Sequence, residues 1–191
     1  MRKVVLASAS PRRRELLEKI GLKFEVDPSD FAEAASGDLE PHIQAKQLSL
    51  AKAKTTAEKY PDAIIIAADT FGVLDGQIIG KPRTGSAAKK MLRMLSGRSH
   101  LVITGFTIMD TGSGKHISRS IETKVYFRTL TDAEIDDYVS TGEPLDKAGA
   151  YAIQELGAIF IKKIVGDYYN VIGLPLCAVT ESLKQFGIRV L

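Results

Sequence analysis

The stretch "KVVLASASPRRRELLEKI", residues 3–20, decides the fold class. Residues 3–7 form an apolar run of strand length. Two serines and a proline follow, and from Pro11 the apolar residues Leu16, Leu17 and Ile20 recur at the spacing of one helical face. Strand, short loop and helix in so few residues make the opening unit of a layered α/β protein. Pro11 suits the first helical position, and Ser8 or Ser10 suits the cap before it. Arg12, Arg13 and Arg14 then fall in the first turn. A helix N-terminus carries roughly half a positive charge and favours anions by about 0.3–1 kcal/mol each, so three cations are misplaced there. A polyphosphate at the helix end resolves the conflict for Arg12 and Arg13. The bland alternative is a solvated basic helix. Arg14 has Glu18 at i+4 and reads as an ordinary surface pair.

Outward from this unit, residues 22–27 alternate as a second strand, and the polar residues 28–40 read as a loop. Residues 41–60 have helical composition behind Pro41. "AIIIAA", residues 63–68, is too short for so apolar a helix and predicts a central strand. Residues 71–79 predict a hairpin turned by "DG". A helix at 85–95 precedes two long strands, 99–110 and 116–128, joined by "TGSGK". A helix at 131–139, a Gly/Pro-punctuated loop at 140–157, a strand near 158–165 and a helix at 174–186 complete the chain. The expected fold is α/β: a mixed twisted sheet with flanking helices, in two lobes around a cleft. The long hairpin makes the sheet mixed.

The 191 residues, 45% hydrophobic and 26% charged, are long enough and apolar enough to bury a core. No apolar run approaches the ~18 residues of a membrane span, and no secretory signal is evident. The single cysteine, Cys177, excludes an internal disulfide or a Cys-rich zinc site, so a cytoplasmic location is expected. A net charge of +3 without an aromatic platform argues against nucleic acid as partner. "GSGKH" at 112–116 lacks the first glycine of a phosphate-binding loop, since position 109 is Met, and reads as a hairpin turn. His42, His100 and His116 share no metal-ligand spacing and read as structural.

Three further features carry chemistry. Asp69 ends the apolar strand, where α/β sheets bind ligands, and its carboxylate can bind a divalent metal or activate water. Lys81 lies in a rigid turn between Gly80 and Pro82 and suits phosphate. The segment 142–157 has no amphipathic period and the length of a functional loop. Within it Asp146 and Lys147 read as a surface pair, and the amide of Gln154 can donate to one base atom and accept from its neighbour.

The motifs "SASPRR", "AADT", "GKP", "LSGRSH", "GEPLDKAGAYAIQ" and "GDYYNVIGLPL" run in this order from residue 8 to residue 176. Together they resemble the Maf family of nucleoside triphosphate pyrophosphatases, over nearly the whole chain. The resemblance implies a single domain over 1–191, folded like the inosine triphosphate pyrophosphatases. It also implies hydrolysis of a nucleoside triphosphate to the monophosphate and pyrophosphate, a divalent cation (Mg²⁺ or Mn²⁺), a homodimer, and a link to arrest of cell division. Asp69 is implied as proton acceptor, and Asp69 with Glu33 as metal ligands. Ser8, Arg12, Arg13, Lys52, Thr70, Lys81 and Gln154 are implied for substrate binding and specificity. Arg12, Thr70 and Gln154 match the subgroup that prefers dTTP and UTP; the 7-methyl-GTP subgroup fits poorly. One departure is "AIQE" where the family has "GIQG", placing Glu155 at a usual glycine. The other reading weighed is a non-enzymatic nucleotide-binding regulator of cell division, which pyrophosphate release would exclude.

Overall fold

The structure, a computed structural model, describes residues 2–31 and 39–191. In chain order its elements are β1 (Lys3–Leu6), α1 (Pro11–Lys19), β2 (Glu25–Val26), α2 (Pro41–Ala57), β3 (Ala63–Leu74) and β4 (Gln77–Ile79). Next come α3 (Gly85–Leu95), β5 (Ser99–Asp110), β6 (His116–Phe127), α4 (Asp132–Ser140), β7 (Ile161–Val165), α5 (Tyr168–Ile172) and α6 (Leu176–Lys184). The strands pair in the order β2-β1-β3-β5-β6-β7, with β4 on β3. The sheet is mixed, as the sequence predicts. The chain divides into two compact units, matching the two lobes expected, and β3, β5 and β6 each contribute to both.

The first unit comprises Met1–Asp69, Thr104–Ile121 and Gly173–Leu191. Here β1 runs parallel to β2 and to the first half of β3, in register from Lys3↔Ala63 to Leu6↔Ile66. Residues 63–68 are buried without exception, the pattern of a parallel strand covered on both faces. Helix α1 buries Arg13, Leu16 and Leu17. Helix α2 buries Ala45, Leu48, Ser49, Ala53 and Thr56. Its backbone comes so close to β5 that a Cβ on Gly105 would lie 2.1 Å from the Ala45 carbonyl oxygen, so only glycine fits there. A chain of hydroxyls, buried Ser49 to buried Thr107 (2.9 Å) to half-buried Ser118 (2.8 Å), joins α2, β5 and β6.

The second unit comprises Thr70–Ile103 and Glu122–Ile172. The second half of β3 turns back into β4 through Asp75 and Gly76, both at positive φ (52° and 78°), as a two-residue hairpin loop demands. Helix α3 is capped by the Thr84 side chain and α4 by a reciprocal Thr131–Glu134 box. Their apolar faces meet a core that includes Leu92, Leu95, Phe127, Tyr138, Tyr151 and Phe160.

Several boundaries differ from expectation. The strand predicted at 22–27 shrinks to two exposed residues, because β2 stands at the end of the strand order and pairs only with β1. The separate strand and hairpin predicted around Asp69 are one continuous strand followed by β4; polarity breaks there while the backbone stays extended. The loop 140–157 contains two short 3-10 turns, Glu143–Asp146 and Ala148–Ala150, and a third, Leu156–Phe160, delays β7 to residue 161. The helix predicted at 174–186 is α6 alone. Gly173 (φ 127°) and Pro175 separate it from α5, a short helix that the sequence reading leaves unassigned.

Candidate active site

Parallel pairing between β1 and β3 ends at Leu6↔Ile66, and the Ala7 amide adds a last bond to the Ile66 carbonyl at 2.8 Å. Three residues further, Asp69 is the first residue of β3 that is not fully buried. It stands past the carboxyl end of its neighbour β1, the usual place for ligands in such sheets. Lys52, on α2, donates its ammonium to Asp69 Oδ1. The two side chains are only 15% and 14% exposed, so each charge is largely compensated by the other rather than by water. The bond orients the carboxylate.

Arg13 is buried, and its guanidinium binds the protein itself. Nε donates to the Gly173 carbonyl (2.9 Å). Nη1 donates to the Ala68 carbonyl (2.8 Å) and to Ser8 Oγ (3.0 Å). It therefore fixes α1, the serine loop and the residue beside Asp69 against one another. Ser8 Oγ also accepts from the Ser10 amide (3.3 Å). Ser10 is the residue at the start of α1, but no side chain caps that helix. Arg12 is half-buried on the same first turn, and Arg14 pairs with Glu18 at 3.5 Å as the sequence predicts. Glu33, the other implied metal ligand, lies outside the described residues.

In the second unit Thr70 is half-buried, and Lys81 and Gln154 are exposed. Two backbone bonds bring the Lys81 turn to the loop that carries Gln154: Gly149 N to Gly80 O and Arg83 N to Leu145 O, both 3.1 Å. Lys147 does pair with Asp146 (2.7 Å), but it is not the surface residue expected. Its side chain is 12% exposed and also lies 3.8 Å from Glu155, the residue at the family's usual glycine. His100 is buried against Phe127 and Tyr151, with Nε2 at 3.0 Å from the Tyr151 hydroxyl. Desolvation pushes its pKa down to about 4, so the ring is neutral and structural. The bonds of Arg13 to Ala68 and Gly173 escaped the sequence reading. "GDYYNVIGLPL" stood out as a motif, but nothing in it marks a backbone carbonyl as an acceptor.

Among the described residues no three His, Cys, Asp or Glu side chains converge to hold a metal ion. Asp69 alone is nevertheless a fitting ligand for Mg²⁺, which binds through one or two carboxylates together with substrate phosphates and water. Among the described residues no helix is long and apolar enough to cross a membrane.

The family model described as "Maf-like protein" matches residues 3–186. The dTTP/UTP pyrophosphatase of Moorella thermoacetica is 48% identical over 190 residues, covering 100% of this chain and 98% of its own. The dTTP/UTP pyrophosphatase of Methanococcoides burtonii is 49% identical over 191 residues, covering 100% and 98%. Among solved structures, a HAM1 protein from Coxiella burnetii shares the fold with a TM-score of 0.58, at 16% identity, over 97% of this chain and 100% of that one.

Proposed function

The chain belongs to the family of Maf-like proteins, and from that premise we propose that it hydrolyses dTTP and UTP to the monophosphate and pyrophosphate. Relatives nearly half identical over the full length bear that activity in their names. The observation that carries the proposal is the Lys52–Asp69 pair past the end of the parallel strands. It offers an oriented carboxylate where a water molecule and an α-phosphate can meet.

In this reading water attacks the α-phosphorus. A new P–O bond forms, the bond from the α-phosphorus to the bridging oxygen breaks, and pyrophosphate leaves. Asp69 accepts the proton of the attacking water, and Lys52 holds its carboxylate in place. An ordinary aspartate, with a pKa near 3.9, is a weak base, so orientation is a large part of its contribution. A Mg²⁺ or Mn²⁺ would be held by Asp69, with Glu33 as the second ligand the family resemblance implies, and would supply charge neutralisation and acidify a bound water. Arg12, Lys81 and Ser8 neutralise and bind phosphate oxygens. Arg13 contributes by fixing the Asp69 segment beside the phosphate site. Thr70 and Gln154 select the base, Gln154 by pairing with the O4 and N3–H edge of uracil or thymine. Guanine presents a similar edge, so the shape of the pocket completes the selection.

The same reading places the enzyme in the cytoplasm as a homodimer that clears nucleotide pools, with an effect on cell division. The deciding experiment is a panel of dTTP, UTP, CTP, dATP and GTP with Mg²⁺, scored for pyrophosphate against orthophosphate. Pyrophosphate from dTTP and UTP at rates well above the purines is expected. Nucleotide binding without pyrophosphate release would point instead to a regulator.

A further inference from the structure

We infer that Glu143 is a positioning residue for base recognition: its carboxylate clasps shut the loop that presents Gln154. The inference rests on the proposed function. Glu143 Oε1 accepts from the Tyr138 hydroxyl (2.7 Å) and the Gly157 amide (3.0 Å), and Oε2 accepts from the Leu156 amide (3.0 Å). One side chain thus ties the start of the loop to its end, 13 and 14 residues later, and both to helix α4. A carboxylate taking three donors forms the stronger, charge-assisted kind of hydrogen bond.

The surroundings are built for this junction. A Cβ on Gly157 would lie 2.7 Å from the Tyr138 hydroxyl and 3.0 Å from the Ala152 backbone, so no side chain fits at that position. The missing side chain lets the hydroxyl and the amide converge on one oxygen. Inside the loop, Lys147 reaches Glu155 as a second tie, and buried Tyr151 is anchored to His100. Between buried Ala152 and buried Gly157, the exposed residues are Gln154, Glu155 and Leu156. Gln154 is therefore held two residues from the clasp on one side and three from the Tyr151 anchor on the other. Opening the clasp frees the loop ends, and ordering them again falls on the nucleotide.

The test is Glu143→Gln. In either orientation of its amide, an NH₂ group faces a backbone N–H or the Tyr138 hydroxyl, and at least one loop bond is lost. The expected result is a KM for dTTP raised about tenfold with kcat within about twofold, as lost preorganisation dictates. The preference for dTTP over dATP should shrink with it, and the Leu156 and Gly157 amides should exchange hydrogen faster. Tyr138→Phe removes one bond to the same carboxylate and leaves both loop bonds, so its KM and preference should match wild type. Faster exchange in Glu143→Gln with KM and preference unchanged overturns the inference. So does an equal rise in KM for purines and pyrimidines in both variants. A wild-type protein inert towards both dTTP and UTP refutes the proposed function; the base-positioning role then falls too, while the exchange rates still report whether the clasp holds the loop.

Discussion

Asp69 and Lys52 show how two residues on different elements become one functional group. Asp69→Asn keeps the shape of the side chain but removes the proton acceptor and the negative charge that faces the Lys52 ammonium. Pyrophosphate release from dTTP should fall by about 100-fold or more, with circular dichroism unchanged; turnover near wild type would refute the role given to Asp69. His100 makes a separate prediction in pH. Its native pKa is pushed down to about 4 against the ordinary 6.5, so below pH 6.5 the unfolded chain takes up a proton that the native ring refuses. The stability this group contributes is therefore present above pH 6.5 and lost as pH falls from 6.5 towards 4. The loss is on the order of 3 kcal/mol. Urea unfolding at pH 7 and pH 4.5 should show it in the wild type, and the difference should shrink in His100→Leu. At this scale the sequence was readable where partners are near in the chain, as with Arg14 and Glu18, or where a residue ends an apolar strand, as with Asp69. It was not readable for Arg13, whose acceptor carbonyls lie 55 and 160 positions away and carry no side-chain signature.

Secondary-structure elements were legible wherever hydrophobic pattern and backbone state change together. Strand β1 and helix α1 stand where the opening stretch predicts them, and α3, β5 and β6 match to within a residue. The reading failed where the two part company. Polar Asp69 and Thr70 interrupt the apolar pattern of β3 without interrupting its extended backbone, and the apolar residues after Asp167 hide a break at Gly173 and Pro175. What no local pattern reveals is the close approach of α2 to β5 at Gly105, yet Lys52 rides on α2 and its position depends on that contact. Gly105→Ala sets a methyl group against the Ala45 carbonyl, with backbone on both sides and no flexible side chain to give way. Overpacking of this kind costs about 1–3 kcal/mol or more. We expect a lowered melting temperature and, because α2 must shift, a fall in kcat for dTTP larger than the change in KM. A variant that melts early but turns over normally would show that the Lys52–Asp69 pair tolerates displacement of its helix.

At the scale of the whole molecule, the residues proposed for the base fall on the second unit, and those proposed for phosphate, Lys81 apart, fall on the first. Ser8, Arg12, Arg13, Lys52 and Asp69 belong to the first unit, and Thr70, Lys81 and Gln154 to the second. A nucleotide can therefore be dissected by its parts. Inorganic pyrophosphate carries only the charge that the first-turn arginines call for, and thymidine carries only the base edge that Gln154 reads. Each fragment that binds the native state stabilises it by mass action, about 2.7 kcal/mol at one hundred times its Kd. Hydrogen exchange then locates the effect. With Mg²⁺ present, pyrophosphate should slow exchange at residues 8–14, where the uncapped amides of α1 and the arginine turn meet an anion. Thymidine at saturating concentration should slow exchange across residues 149–157 and leave residues 8–14 unchanged. The arginine turn should in addition be the less protected of the two without any ligand, since its cations oppose the helix dipole. The loop closed by Glu143 should exchange slowly from the start. Protection of residues 8–14 by thymidine alone, or of 149–157 by pyrophosphate alone, would refute this division of labour between phosphate and base.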